Sequence, residues 1–225
     1  MFGDEEGFLC VYVGRISNAK RLDIVIDVRR KLSGRRRAYL AIVGDGPSAP
    51  VYAQFHGPEH GVYCRPRFLS HAELAEVYAS SDVHVSASEF ETLGNTVLEA
   101  FSCGVPVVVP RTQGFRDTVR HEVDGFLFNP GDREDATRFL QRLKDDEGLR
   151  LALGAAGRDT VSTRTIEYVV RDLLQWYARG AQRKATRGGL FRLVSTAALL
   201  LLVPFTIFLF FIYNIMVSRG TYFLL

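Results

Sequence analysis

Two glutamates, Glu91 and Glu99, stand eight positions apart in the stretch SASEFETLGNTVLEAFSCGVPVVV, residues 86–109. The first belongs to a polar turn, Glu91-Thr92-Leu93-Gly94, whose glycine lets the backbone approach a ligand with no Cβ in the way. A short helix is predicted next, with Thr96, Val97, Leu98, Glu99, Ala100 and Phe101 as its body and Gly104 as its stop. The β-branched run from Val105 to Val109 then suits a buried parallel strand. This places Glu91, Thr92, Leu93, Gly94 and Asn95 at the helix entrance and Glu99 about two turns along it. A helix N-terminus offers free N–H groups and a positive dipole to a phosphate or a polyhydroxy group. One carboxylate at the loop tip can hold sugar hydroxyls, and a second can take a vicinal diol through two acceptor oxygens. The pair therefore suits a nucleotide sugar. Taken alone, it equally suits a helix cap at Glu91 and a solvated Glu99.

The elements that must position these groups follow an alternating β/α order. The apolar run Phe8 to Val13 ends in Gly14-Arg15 and reads as a strand whose carboxyl end faces the crevice of an open sheet. Ser17-Asn18-Ala19 supplies a turn before Lys20 and a helix from Arg21 to Lys31, with Leu22, Ile24, Val25, Ile26 and Val28 on its buried face. Ser33 to Arg37, with three consecutive arginines, reads as a solvated turn. Tyr39 to Val43 is a second strand, closed by the tight turn Gly44-Asp45-Gly46-Pro47. Ser70-His71-Ala72-Glu73 is a capping box opening a helix with Leu74, Val77 and Tyr78 on its apolar side. Strands at 82–85 and 124–128, a turn at 110–117, and helices at 133–144, 147–160 and 166–178 complete the pattern. Arg15 and Lys20 flank the first helix start, where they are either a cationic pair for an anion or two solvated cations.

The Glu-x7-Glu spacing, together with Val13-Gly14-Arg15 and Lys20, Val43-Gly44-Asp45-Gly46-Pro47, and Asp124-Gly125-Phe126-Leu127-Phe128, resembles the retaining glycosyltransferases of family 4, which have the GT-B fold. The wording around 90–132 looks most like the sulfoquinovosyltransferases of that family, which glycosylate diacylglycerol. The resemblance implies the C-terminal half of a GT-B enzyme, a Rossmann-like parallel sheet with helices on both faces. It implies that Arg15 and Lys20 hold the donor diphosphate, that Glu91 holds the donor sugar and Glu99 the ribose, and that Gly14, Gly46, Phe68 and the backbone from Thr92 to Asn95 complete the donor site. The expected donor is UDP-linked, retention of configuration is expected, and neither a cofactor nor a metal is expected. Two departures bear on the donor: Arg67-Phe68 stands where the family has Gly before an aromatic that flanks the base, and Gln113 and Arg116 replace part of a Gly-Gly-x-Pro turn. Arg111 and Arg116 are candidates for a sulfonate.

At 225 residues, 47% hydrophobic and 24% charged, the chain has the composition of a folded protein, and its net charge of +3 gives no reason to expect nucleic acid as a partner. Cys10, Cys64 and Cys103 are scattered, without a metal or disulfide pattern. The organisation expected is a nucleotide-sugar-binding domain over 1–180, a basic linker at 181–192, a transmembrane helix at 193–217 and a short tail at 218–225. The 25 residues of 193–217 carry no charge and exceed the roughly 20 that cross a hydrocarbon core, with Pro204 as a kink. Arg179, Arg183, Lys184, Arg187 and Arg192 precede them and only Arg219 follows, so the expected topology is single-pass with the globular part cytosolic or stromal, in a plastid membrane if the sulfoquinovosyl resemblance holds. The acidic N-terminus has no signal or transit character. By resemblance, an N-terminal GT-B domain that supplies most acceptor contacts is missing, and the last helix is of the kind that crosses onto it. The expectations are therefore a membrane lipid glycosyltransferase, with an enzyme that starts glycosylphosphatidylinositol anchors or a non-catalytic tethered nucleotide-sugar-binding subunit as the alternatives.

Overall fold

The computed structural model describes residues 4, 6–64, 66–162, 166–185 and 202–211. It divides into two compact units, Met1–Arg164 and Thr165–Leu225. The first unit holds six strands, β1 (Phe8–Val13), β2 (Ala38–Val43), β3 (Val62–Cys64), β4 (Val83–Val85), β5 (Val107–Pro110) and β6 (Gly125–Phe128). They form one parallel sheet in the order β3-β2-β1-β4-β5-β6. The chain builds outward from β1 to β3 and then returns to the other side of β1 for β4. The carboxyl ends of β1 and β4 consequently diverge into a crevice, the place where open α/β sheets take ligands.

Helices cover both faces, as a sheet of this kind requires. They are α1 (Leu22–Lys31), α2 (Ala49–Ala53), α3 (His71–Ala79), α4 (Asn95–Ser102), α5 (Gln113–Thr118), α6 (Arg133–Asp145) and α7 (Glu147–Ser162). The strand alternation of β1 sends Phe8, Cys10 and Tyr12 to one face, where they meet Ile24 and Val28 of α1 and Leu140 and Leu143 of α6. Val11 goes to the other face, which it shares with Val107 and Val109, Tyr78 of α3, Val97 and Phe101 of α4, and Phe115 of α5. The capping box forms as read: Ser70 Oγ accepts from the Glu73 N–H at 3.3 Å and Glu73 Oε2 accepts from the Ser70 N–H at 2.8 Å.

Two local expectations are corrected and one element is added. The segment 110–117 is not a plain turn but contains α5, whose Thr118 hydroxyl donates back to Gly114 O at 2.9 Å. β3 forms at Val62–Cys64, where Val62 and Tyr63 favour a strand but three residues are too few to show a period; its pairing with Leu40–Ile42 of β2 supplies the rest. Arg36 is not simply solvated: its guanidinium donates to Glu6 O at 2.6 Å, to Gly7 O at 3.0 Å and to Asp82 at 3.3 Å, closing the amino-terminal edge of the sheet.

The second unit contains α8 (Ile166–Ala185) and a helical segment at 202–211. Among the described residues no helix is long and apolar enough to cross a membrane. The transmembrane helix expected at 193–217 is therefore not found: only 202–211 of it is described, and the rest, with residues 186–192 and 218–225, lies outside the described residues.

Candidate functional site

The loops after β1 and β2 are laced together by backbone hydrogen bonds. Gly14 N donates to Val43 O at 3.0 Å, Ile16 N to Asp45 O at 2.9 Å and Ser48 N to Ile16 O at 3.1 Å. Contact this close requires glycine: a Cβ at Gly44 would lie 2.0 Å from Gly14 O, and one at Gly46 2.3 Å from Ile16 O. The buried Tyr12 hydroxyl donates to Arg15 O at 2.9 Å, fixing the backbone from which the exposed Arg15 side chain projects. Burial first, and the Glu91 charge second, push the Tyr12 pKa well up, so it stays a donor.

Lys20 ends a short 3-10 turn, Asn18–Lys20, and reaches across the crevice. Its Nζ lies 2.8 Å from Glu91 Oε2 and 3.3 Å from Ser88 Oγ. Both side chains of the pair are 23% exposed, so the contact is partly shielded from water yet open to a ligand. The next residue, Arg21, adopts a left-handed backbone at φ 49° and pairs with Glu89 at 3.0 Å and Asp23 at 3.1 Å. Two cation–carboxylate contacts thus stitch the loop after β1 to the loop after β4. Lys20 meets Glu91, whereas Arg15 makes no side-chain hydrogen bond or ion pair among the described residues and is free to receive an anion.

The loop from Ser86 to Gly94 is held from behind. Ser88 is fully buried, takes its N–H to Ser86 Oγ at 3.2 Å and donates its hydroxyl to Phe90 O at 3.0 Å. From α5, Gly114 N donates to Glu91 O and Thr118 Oγ1 to Leu93 O, both at 2.9 Å. A Cβ at Gly114 would sit 2.6 Å from both Glu91 O and Thr92 O, so glycine lets α5 press against the loop. Gly94, at φ 74°, turns the chain into α4. Thr92, Leu93 and Asn95 are exposed at its mouth, with Phe90 79% and Leu93 53% exposed beside Glu91.

Since α4 begins at Asn95, Glu99 is its fifth residue, in the second turn and about 6 Å along the axis, nearer the entrance than expected. Glu99 Oε2 lies 3.1 Å from the hydroxyl of Tyr78, which is equally 3.1 Å from Thr96 O. Burial raises the Glu99 pKa, and the Tyr78 hydrogen bond opposes that rise by favouring the carboxylate. Behind Tyr78 stands His84, fully buried, with ring centroids 5.9 Å apart; burial pushes its pKa down to about 4, so it is a neutral wall. Phe68, 75% exposed, follows Arg67, whose N–H donates to Gly44 O at 3.3 Å, so its backbone runs beside the turn that follows β2. Among the described residues no group of three acidic, histidine or cysteine side chains could hold a metal ion. Sequence reasoning missed the contact between Tyr78 and Glu99, because the spacing of Tyr78 on α3 marks only an apolar face. It also missed the Gly114 and Thr118 brace, which only the fold brings to the loop.

Residues 3–160 match the model of the family described as glycosyl transferases group 1, and the chain belongs to that family. It is 39% identical over 160 residues to the sulfoquinovosyl transferase SQD2 of Arabidopsis thaliana, covering 70% of this chain and 30% of that protein. It is 31% identical over 181 residues to the lipopolysaccharide core biosynthesis glycosyltransferase LpsD of Rhizobium meliloti, covering 80% of this chain and 52% of that one. The chain thus spans from under a third to about half of the length of these relatives. In fold it is similar to Anabaena Alr3699/HepE, crystallised in complex with UDP, with a TM-score of 0.68 at 20% identity over 77% of this chain and 49% of that one. The six-stranded parallel sheet is that of one Rossmann-like half of a GT-B glycosyltransferase.

Proposed function

We propose that this chain forms the nucleotide-sugar-binding half of a retaining glycosyltransferase that passes a sugar from a UDP-linked donor, UDP-sulfoquinovose in preference, to a membrane lipid such as diacylglycerol. The observation that carries the donor site is the meeting of Lys20 and Glu91 at 2.8 Å across the crevice between β1 and β4. On donor binding, Arg15 and Lys20 hold the diphosphate, and the N–H groups at the start of α4 add their dipole. Glu91, released from Lys20, accepts from donor-sugar hydroxyls, and Glu99 accepts from the ribose diol. As the bond from the anomeric carbon to the diphosphate oxygen breaks, charge grows on that oxygen, and the two cations stabilise it. The acceptor hydroxyl enters from the same face of the sugar, its oxygen bonding to the anomeric carbon and its proton passing to the departing diphosphate oxygen.

Three observations support the finer parts of this reading. The similarity to the Arabidopsis sulfoquinovosyl transferase and the exposed Arg111 and Arg116, on the strand end and helix beside the Glu91 loop, favour a sulfonated sugar. Phe90 and Leu93 offer apolar surface next to Glu91 for a lipid. The uncharged run 193–217, of which 202–211 is helical with Phe205, Ile207, Phe208, Leu209, Phe210 and Phe211 exposed, favours a membrane tether. Calorimetry on the 225-residue chain tests the donor. UDP-sulfoquinovose is expected to bind about tenfold tighter than UDP-glucose, the worth of one added charge-assisted contact. Equal affinity would refute the sulfonated donor, and failure of both to bind would refute the donor site.

A further inference from the structure

We infer that Tyr78 is a positioning residue for nucleotide recognition, its hydroxyl holding the Glu99 carboxylate in the orientation that receives a ribose diol. The inference rests on the reading of Glu99 as the ribose ligand. Glu99 lies on α4 and Tyr78 on α3, so the contact joins two elements whose only covalent link is the loop and strand between them. The Tyr78 side chain is 1% exposed and cannot itself touch a nucleotide. Its ring lies in the buried apolar layer that also holds Val97, Phe101 and Val107 and meets His84 at 5.9 Å between centroids, with the hydroxyl directed to the first turns of α4. There it lies 3.1 Å from both Thr96 O and Glu99 Oε2, the geometry of a shared proton. One oxygen of Glu99 is thereby engaged on its inner side. A carboxylate fixed in this way keeps outward lone pairs on both oxygens, and a vicinal diol needs both. A free Glu99 side chain would have to give up rotamer freedom on every binding event; the tyrosine has removed that freedom in advance.

The test compares UDP with 2′,3′-dideoxyuridine diphosphate, which lacks the diol, on the 225-residue chain. Tyr78→Phe keeps the packed ring and removes the hydroxyl. It is expected to weaken UDP about five- to tenfold and to leave the dideoxy analogue within twofold. In a Glu99→Ala background the same substitution is expected to change neither ligand, because the group it positions is gone. If Tyr78→Phe weakens both ligands alike, weakens neither, or fails to fold, the hydroxyl belongs to the scaffold and the inference is overturned. If Glu99→Ala itself leaves the preference for UDP over the dideoxy analogue intact, the reading of Glu99 fails first and independently.

Discussion

Replacing Lys20 by alanine should weaken UDP binding, and replacing Glu91 by glutamine should not, although the two side chains are partners in the free protein. At 2.8 Å and an effective dielectric near 20 their gross attraction is about 6 kcal/mol, most of it offset by the water each group gives up. A charge-assisted hydrogen bond of this kind is worth about 2 kcal/mol net. On the proposed reading, UDP binding exchanges one such contact for another, Lys20–Glu91 for Lys20–diphosphate. Lys20→Ala removes the acquired contact together with the one given up for it, so the expected loss is the repulsion between the unneutralised Glu91 carboxylate and the arriving phosphates, about 1 kcal/mol or about fivefold. Glu91→Gln removes the competitor for Lys20, so UDP should bind as well as in the parent or a few times better. The same variant should lose the extra affinity of a UDP-sugar over UDP, because the sugar hydroxyls lose an ionised acceptor. Calorimetry with UDP and UDP-glucose at low and moderate salt reads all three quantities, and salt should weaken parent binding more than Lys20→Ala binding. Equal losses of UDP affinity in the two variants would show that the pair is a structural brace and refute the exchange.

Other outcomes follow from the same geometry. The raised pKa of Glu99 means that its carboxylate, the form that accepts from a diol, is lost as pH falls through a value above the ordinary 4.5. The ratio of UDP to 2′,3′-dideoxyuridine diphosphate affinity should therefore decline at a pH higher than that of an exposed glutamate, and a ratio flat from pH 7 to 4.5 would contradict it. Asp82 accepts from the Leu9 N–H at 2.8 Å and pairs with Arg150 at 3.0 Å, where Arg150 is only 9% exposed. Asp82→Ala should cost about 3 kcal/mol in urea denaturation by leaving that buried guanidinium with only the exposed Glu147 carboxylate, at 3.9 Å, as a counter-charge, and a loss under 1 kcal/mol would refute the account. Gly114→Ala should displace the Glu91–Leu93 loop and reduce discrimination between UDP-glucose and UDP, with a cost of about 1–3 kcal/mol in stability. A C-terminal tag should be shielded from protease in sealed vesicles while the globular unit is digested; cleavage of both from one side would contradict the tether.

Much of this site is written in local sequence. The capping box at Ser70 and Glu73, the apolar run of β1 and the glycine entrance to α4 each depend on residues within a few positions of one another, and each forms as read. The parts that escaped are those set by distant partners. Lys20 and Glu91 are 71 positions apart, and only the return of the chain to β4, beside β1, brings them together. α5 was hidden because Gln113-Gly114-Phe115 has the composition of a turn, while its stability comes from hydrogen bonds to the loop it braces. Tyr78 was legible as a core residue, and its 1% exposure agrees, but a periodicity argument follows the ring and is silent on where the hydroxyl ends.

A crystal structure of the chain with UDP bound tests the central claim most directly. The account predicts the diphosphate between Arg15, Lys20 and the first N–H groups of α4, with the Lys20–Glu91 contact opened and both ribose hydroxyls on the Glu99 carboxylate. UDP seated elsewhere, or in this crevice with Lys20 and Glu91 still paired and Glu99 untouched, would contradict it.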